Sequence, residues 1–272
     1  MAGPDEIVTP GGRIAVLHRL ALAVEAVDAV NRRPAAGVRV GRETGRRSVF
    51  ADPALVGMPS AGNGRGRLVL RHDRPLPGAI RIRLDDPARR WVPRRLDVSV
   101  WTYDEVRAAD ADPPGAKVPP EDRLIRPWLR PGVGYPCPPG ATGLRFGVRR
   151  GPERVAWPRL EVFDAGGFPV GWAHGDGRGE VLVLIRPGAP ATGDFPIVVR
   201  VHAPDPDWRD RPPAPAKDPL RLLHPEPVAR APGPADPAVR GDLPPPGYLP
   251  PTDHLLTCTV GRVKAAIDLA IA

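Results

Sequence analysis

Apolar residues recur on alternate positions in short runs along most of the chain. From Leu20 onward, Leu22, Val24 and Ala26 face one way, with Glu25 and Asp28 outside. Arg13–Val30 has a composition that also allows a helix, but its apolar residues form no single stripe, so period two decides for a strand. A turn at Asn31-Arg32-Arg33-Pro34 follows, and Gly37-Val38-Arg39-Val40 alternates again. Residues 41–66 are rich in Gly, Pro and Ser and read as a loop. Further strands are expected at Arg67–Arg71, Ala79–Leu84 and Arg94–Tyr103, then at Leu144–Arg149, Arg159–Phe163, Glu180–Ile185 and Pro196–His202. Short alternating runs punctuated by Gly and Pro predict an all-β protein of two antiparallel β-sandwiches.

The same pattern divides the chain. Residues 1–12 form a polar tail, 13–103 a first sandwich, 104–123 a polar linker and 124–203 a second sandwich. Residues 204–251 then read as an extended arm: the stretch 203–251 holds 16 of the 40 prolines, a density that favours polyproline-type chain over packed elements. Leu220, Leu222, Leu223 and Val228 are apolar beads able to dock it. Residues 252–272 recover order. Leu256, Val260, Val263 and Ile267 lie at helical spacing, with Thr252 or Asp253 as a cap. Gly261 argues against that helix, and a strand over Leu255–Val260 with a shorter helix is the alternative.

Composition sharpens this reading. With 40 prolines and 30 glycines in 272 residues, a protein of long helices is excluded, yet 42% hydrophobic residues suffice for cores. The net charge of +8 is almost wholly arginine, the lysines being Lys117, Lys217 and Lys264. The arginines are dispersed among aspartates, so solvated strand faces are expected and nucleic-acid binding is not. The N-terminal residues lack the basic and apolar regions of a signal peptide, and no apolar run reaches the ~20 residues of a membrane helix. A cytoplasmic protein without membrane insertion is expected.

Chemistry is sparse. His18, His72, His174, His202, His224 and His254 are scattered without HExxH or HxH spacing, and Ser48, Ser60 and Ser99 lie in no GxSxG. Cys137 and Cys258 sit in no CxxC pair; a disulfide between them is allowed but not required. No enzyme, metal or cofactor is expected. Six tryptophans stand out among few aromatics; each either plugs the end of a small core or anchors a partner. Trp91, between Arg90 and Val92, is the candidate anchor. Leu256, Val260, Val263 and Ile267 are the candidate hook for a partner subunit.

Two stretches repeat. Gly62-Asn63-Gly64-Arg65-Gly66-Arg67-Leu68-Val69-Leu70 matches Gly175-Asp176-Gly177-Arg178-Gly179-Glu180-Val181-Leu182-Val183. Upstream, Val24–Ala29 matches Leu160–Ala165, each followed by a turn, a proline (Pro34, Pro169) and a short strand. The glycines suit tight turns before strands, where a phosphate-binding loop would need a helix. The unit resembles the carboxypeptidase regulatory-like domain, a transthyretin-like (prealbumin-like) sandwich. The match runs through Val27-Asp28, Gly37-Val38-Arg39-Val40 and Leu76-Pro77-Gly78 in one copy. In the other it runs through Val162-Phe163-Asp164, Pro169-Val170-Gly171-Trp172 and Arg186-Pro187-Gly188. The family's Thr-Gly is replaced in both copies, and the aromatic after Pro-Gly is missing. The resemblance implies a non-catalytic spacer or docking module. The segment Tyr135-Pro136-Cys137-Pro138-Pro139-Gly140-Ala141-Thr142 is similar to accessory proteins of actinobacterial contractile injection systems, which implies a structural component docking onto a larger multi-subunit assembly. A carbohydrate- or ligand-binding sandwich is the alternative.

Overall fold

A computed structural model describes residues 6–8, 14–16, 20–44, 54–58, 66–72, 76–109, 118–185, 192–207, 219–242 and 244–271. Its elements are, in order, β1 (Glu6–Val8), β2 (Ile14–Val16), β3 (Leu20–Val24), β4 (Val27–Asp28), β5 (Arg39–Thr44), β6 (Ala54–Gly57) and β7 (Leu68–Arg71). Next come β8 (Ala79–Asp85), β9 (Arg94–Ser99), α1 (Tyr103–Ala109), β10 (Leu124–Ile125) and β11 (Trp128–Leu129). The second half holds β12 (Gly143–Arg150), β13 (Glu153–Arg154), β14 (Arg159–Asp164), β15 (Pro169–His174), β16 (Glu180–Leu184) and β17 (Asp194–His202). The chain ends with β18 (Glu226–Val228), α2 (Pro237–Arg240), β19 (Thr252–Thr259) and β20 (Val263–Ile271). The protein is all-β, as expected.

In the first half, one sheet runs β18-β9-β8-β5-β6, and β10-β3-β7 with β11-β4 lies across the core from it. Alternation explains the core: Ile80, Ile82 and Leu84 of β8 are buried with Leu96 and Val98 of β9, Leu22 and Val24 of β3, and Ile125 and Leu129. In the second half, β15-β14-β17-β19 faces β12, which is flanked by β16 and β20. Its core holds Leu144, Phe146, Leu160, Val162, Ile197, Val199 and Val201. Strand β16 is buried on both faces. Val181 and Val183 enter the second core, and Leu182 enters the first. Its unbroken apolar run is what a strand covered on both sides requires.

Four expectations are corrected. The loop expected over residues 41–66 contains the end of β5 and all of β6, which form a hairpin pair. The linker 104–123 carries most of α1 and a 3₁₀ turn at Pro120–Arg123, whose Arg123 is buried and donates to the carbonyls of Leu20 (3.3 Å) and Val118 (3.0 Å). Leu124–Leu129, read as the start of the second sandwich, instead adds β10 and β11 in parallel to β3 and β4 of the first. The arm carries packed structure: Pro227, flanked by buried Glu226 and Val228, sits in an edge strand parallel to β9, where a missing N–H is tolerated.

Over residues 252–271 the C-terminal segment holds no helix, and the alternative of a strand over Leu255–Val260 matches β19. It supplies β19 antiparallel to β17 and β20 parallel to β12, one edge strand to each sheet of the second sandwich. The eight-residue ladder offered by β17 and the in-out alternation of 252–259 outweigh the four-residue helical stripe. Gly261 takes φ +71° in the turn between the strands, a conformation glycine adopts without strain.

The upstream repeat is visible in detail. Asp28 accepts the N–H of Val30 (2.8 Å), and Asp164 accepts those of Gly166 and Phe168 (both 2.9 Å), so the two aspartates build equivalent turns. The Gly175–Glu180 turn is likewise organised by an aspartate, Asp176, which accepts from the N–H groups of Arg178 (2.8 Å) and Glu180 (3.1 Å). Most of its counterpart, Gly62 to Arg65, lies outside the described residues.

Candidate functional site

The junction between the sandwiches is closed by charge. Arg94 of β9, Arg159 of β14 and Glu226 of β18 are all buried, at 0%, 4% and 2% exposure. Glu226 therefore bridges the two halves from within the arm. Arg94 donates to both Glu226 oxygens (Nε, 3.1 Å; Nη2, 2.6 Å), and Arg159 Nη2 donates to Oε1 (2.8 Å). Burial alone would raise the Glu226 carboxyl; the two guanidiniums outweigh it and hold it below the usual carboxylate range. Arg94 also donates to the carbonyls of Trp128 (2.9 Å), Val239 (2.7 Å) and Ala238, tying α2 into the same knot.

Helix α2 is short and capped at both ends. Asp236 accepts the N–H of Ala238 (2.8 Å) with Pro237 at the first position, and Gly241 ends the helix at φ +62°. A Cβ on Gly241 would stand 2.8 Å from the His174 ring and 3.2 Å from the Arg94 guanidinium. The Gly241 carbonyl is 2.8 Å from His174 Nε2. Since a carbonyl only accepts, Nε2 carries a proton and donates it to Gly241. Arg130 donates to the Arg240 carbonyl (2.9 Å) and pairs with Asp242. Further out, Arg89 joins the halves through Asp176 (2.5 Å) and Glu180 (3.0 Å). Tyr248 donates to the Trp157 carbonyl (2.7 Å), and burial pushes its hydroxyl up to about 12.

The clamp makes the junction acid-sensitive. Burial, then Arg159, Arg130 and Arg94, keep the His174 pKa well below its ordinary value. A base with a depressed folded pKa contributes stability above its unfolded value of ~6.5 and loses it as pH falls. Glu226, also lowered, has the same sign at lower pH, and His224, lowered chiefly by burial, adds to it. The urea midpoint is expected to be flat from pH 8 to 7 and to fall below pH ~6.5. His174→Gln should flatten the upper part of that fall; an unchanged slope would show that His174 does not carry it.

The structure separates the sequence-derived candidates. Trp91 is 7% exposed in the first core, its ring facing the Arg90 guanidinium at 4.7 Å, so it is a core plug and not an exposed anchor. Gly132 and Gly134 lie flush against the backbone before it: a Cβ on either would come within 2.5 Å of the Arg89 carbonyl or 2.6 Å of the Ala88 carbonyl. Leu256 and Val260 pack on the second core, and Val263 on the first. Ile267 lies in β20 opposite Phe146. Leu256, Val260 and Val263 are therefore engaged within the chain and not presented as a free hook. Cys137 and Cys258 are both free thiols, Cys258 within the second core. Among the described residues no three His, Cys, Asp or Glu side chains gather as a metal site, and no helix is long and apolar enough to cross a membrane.

Sequence reading missed the clamp because Glu226 lies between two prolines in a segment that looked unstructured. It also expected solvated arginines, whereas Arg83, Arg94, Arg95, Arg123, Arg130 and Arg159 are buried. Glu43 pairs with both Arg83 and Arg95, the latter through two bonds of 2.8 Å. The one available signal was the alternation itself, which places Arg81 and Arg83, and Arg95 and Asp97, on the faces opposite the core residues.

The outer face of β15-β14-β17-β19 is the other notable surface. The register puts Phe163, Val198 and Leu255 side by side across three strands. Leu255 is 75% exposed and the adjacent turn residue Phe168 is 70% exposed. Beside them runs a second row, Glu161, Arg200 and Asp253, in which Arg200 pairs with Asp253 at 3.0 Å. Among the described strands, only β17 pairs with β19.

No family model matches the chain, and no curated protein matches it. Among solved structures, a crystal structure of a mutant of shaft pilin spaA from Lactobacillus rhamnosus GG is similar at 9% identity, covering 93% of this chain and 98% of that chain, with a TM-score of 0.23. Another crystal structure of the same pilin covers 93% and 96% at 9% identity, with a TM-score of 0.20. Likeness at that level carries no inference about fold or role.

Proposed function

We propose that this chain is a non-catalytic structural component that docks onto a larger protein assembly. The finer reading is a pair of related transthyretin-like sandwiches serving an accessory role in a phage-tail-like contractile injection particle. That reading rests on the sequence resemblance and on the equivalent aspartate turns of the two halves. The observation that supports docking is the outer-face row Phe163-Val198-Leu255, which ends on the terminal strand of its sheet, with Leu255 75% exposed and Phe168, in the turn after β14, 70% exposed. Large exposed apolar side chains gathered on one face mark interaction surfaces. The clamp supports the same role, since it locks both halves into one platform.

The carbohydrate alternative needs open indole faces. Trp91, Trp101, Trp128 and Trp172 each have a guanidinium within 6 Å of the ring, which a sugar would have to displace.

The test is the double variant Leu255→Asp with Phe168→Asp. Both side chains are exposed, so thermal stability should stay within about 1 kcal/mol of the parent. Co-sedimentation with the particles of the producing cell should be lost. Undiminished co-sedimentation would sink this docking face.

A further inference from the structure

A cleft of about 310 Å³ opens between the two halves. Val30, Trp172, Leu184 and Ile185 give it apolar walls, and the charges lining it are two arginines, Arg32 and Arg130. No carboxylate lines it. A volume of this size is at the small end of ligand sites.

Arg32 is held in place by its turn. Its φ of +63° is unusual for a residue with a side chain. Buried Asp28 fixes this conformation: its carbonyl accepts the Arg32 N–H (2.9 Å), and its carboxylate takes the Val30 N–H (2.8 Å), the Asn31 side chain (2.8 Å) and the Tyr135 hydroxyl (2.8 Å). Strain maintained by a surrounding network is a pointer to function. The result is a guanidinium laid 4.0 Å from the centroid of the Trp128 ring. Among the described residues Arg32 makes no ion pair.

Arg240 and Arg130 approach the same ring at 4.8 Å and 5.9 Å, and Arg130 lies equally far, 5.9 Å, from Trp172. Asp242 pairs with both Arg130 and Arg240, whereas Arg32 lies over the ring without an ion pair among the described residues. The Arg32 charge sits beside low-dielectric walls, where attraction for an anion is strengthened. A phosphate would leave those walls unfilled. A group carrying a single negative charge on an apolar body satisfies both.

We propose that this cleft binds a small organic carboxylate, its anion on Arg32 with Arg130 behind, and its aliphatic or aromatic body against Trp172, Leu184 and Ile185. The carboxylate can belong to a free acid or to the C-terminal residue of a peptide. The inference does not rest on the docking face: Trp172 lies opposite Glu161 of that face's second row, but neither Leu255 nor Phe168 lines the cleft.

Titrating the full chain with phenylacetate and 4-methylpentanoate, alongside their uncharged amides, tests it. Tryptophan fluorescence and ligand-observed NMR give the readout. A tripeptide ending in leucine, as free acid and as amide, distinguishes the two sources. At least one free acid is expected to saturate, with its amide about tenfold weaker or more, since a hydrogen bond to a charged group has that weight. Arg32→Ala should weaken the acid about tenfold or more while leaving the melting temperature unchanged, because the side chain is exposed. Arg39→Ala, at an exposed arginine paired with Asp85, is the control and should change nothing. Equal binding of acid and amide, no saturation by any of the three acids, or unchanged binding in Arg32→Ala would overturn the proposal.

Discussion

A chain ending at Pro251 is expected to lose the second sandwich altogether. Removing 252–272 takes away β19 and β20, and with them one edge strand of each sheet. Cys258, Leu269 and Ile271 leave the core, exposing Phe146, Val148, Ile197 and Val199. β17 would also lose the partner that pairs with it from Asp194 to Val201. Loss of this much buried apolar surface exceeds the marginal stability of a small domain. Limited proteolysis should cut throughout 143–202 in the truncated protein, and its near-UV dichroism should collapse. A protected, cooperatively melting second half would show that the terminal strands are an appendage. Truncation is consequently unsuited to testing partner binding, and point changes at Leu255 and Phe168 serve instead.

The second large effect is expected at Glu226. Glu226→Gln keeps the shape but removes the charge that Arg94 and Arg159 share, leaving two guanidiniums in a site where neither is solvated. Breaking a buried ion cluster by removing one partner costs about 3–5 kcal/mol. The urea midpoint should fall accordingly, and the arm between 219 and 242 should gain amide exchange ahead of global unfolding. A midpoint within about 0.5 kcal/mol of the parent would show that the cluster contributes little. The triple change of Arg94, Arg159 and Glu226 to apolar residues should be milder than Glu226→Gln, because no charge is then left buried.

The strands inside each half were legible because period two is a local property. Ala79–Leu84 and Arg159–Phe163 were found to within a residue, since their burial is set by immediate neighbours. What failed depends on distant partners. Leu124–Leu129 belongs to the first half because β3 and β4 offer it an edge more than ninety residues upstream, which no window on 124–129 contains. The terminal segment carried a helical stripe that the edge of β17 overrode. The arm looked extended from its prolines, whereas its described residues include a 3₁₀ turn, β18 and α2. Its docking depends on Glu226 meeting two arginines whose burial could not be read from their type. Arg32 was recognised as part of a turn, but its left-handed backbone is imposed by Asp28 and Tyr135 together.

The parallel pairings have a consequence for how the protein is made. β18 completes a sheet whose partner strand β9 lies about 130 residues earlier, and β20 completes one begun at β12, about 120 residues earlier. Contacts of such long sequence separation slow folding and leave strand edges open meanwhile. Each sheet stays unfinished during synthesis until its late strand, β18 or β20, has left the ribosome. In that interval a chaperone or an assembly partner has access to edges that the folded protein covers.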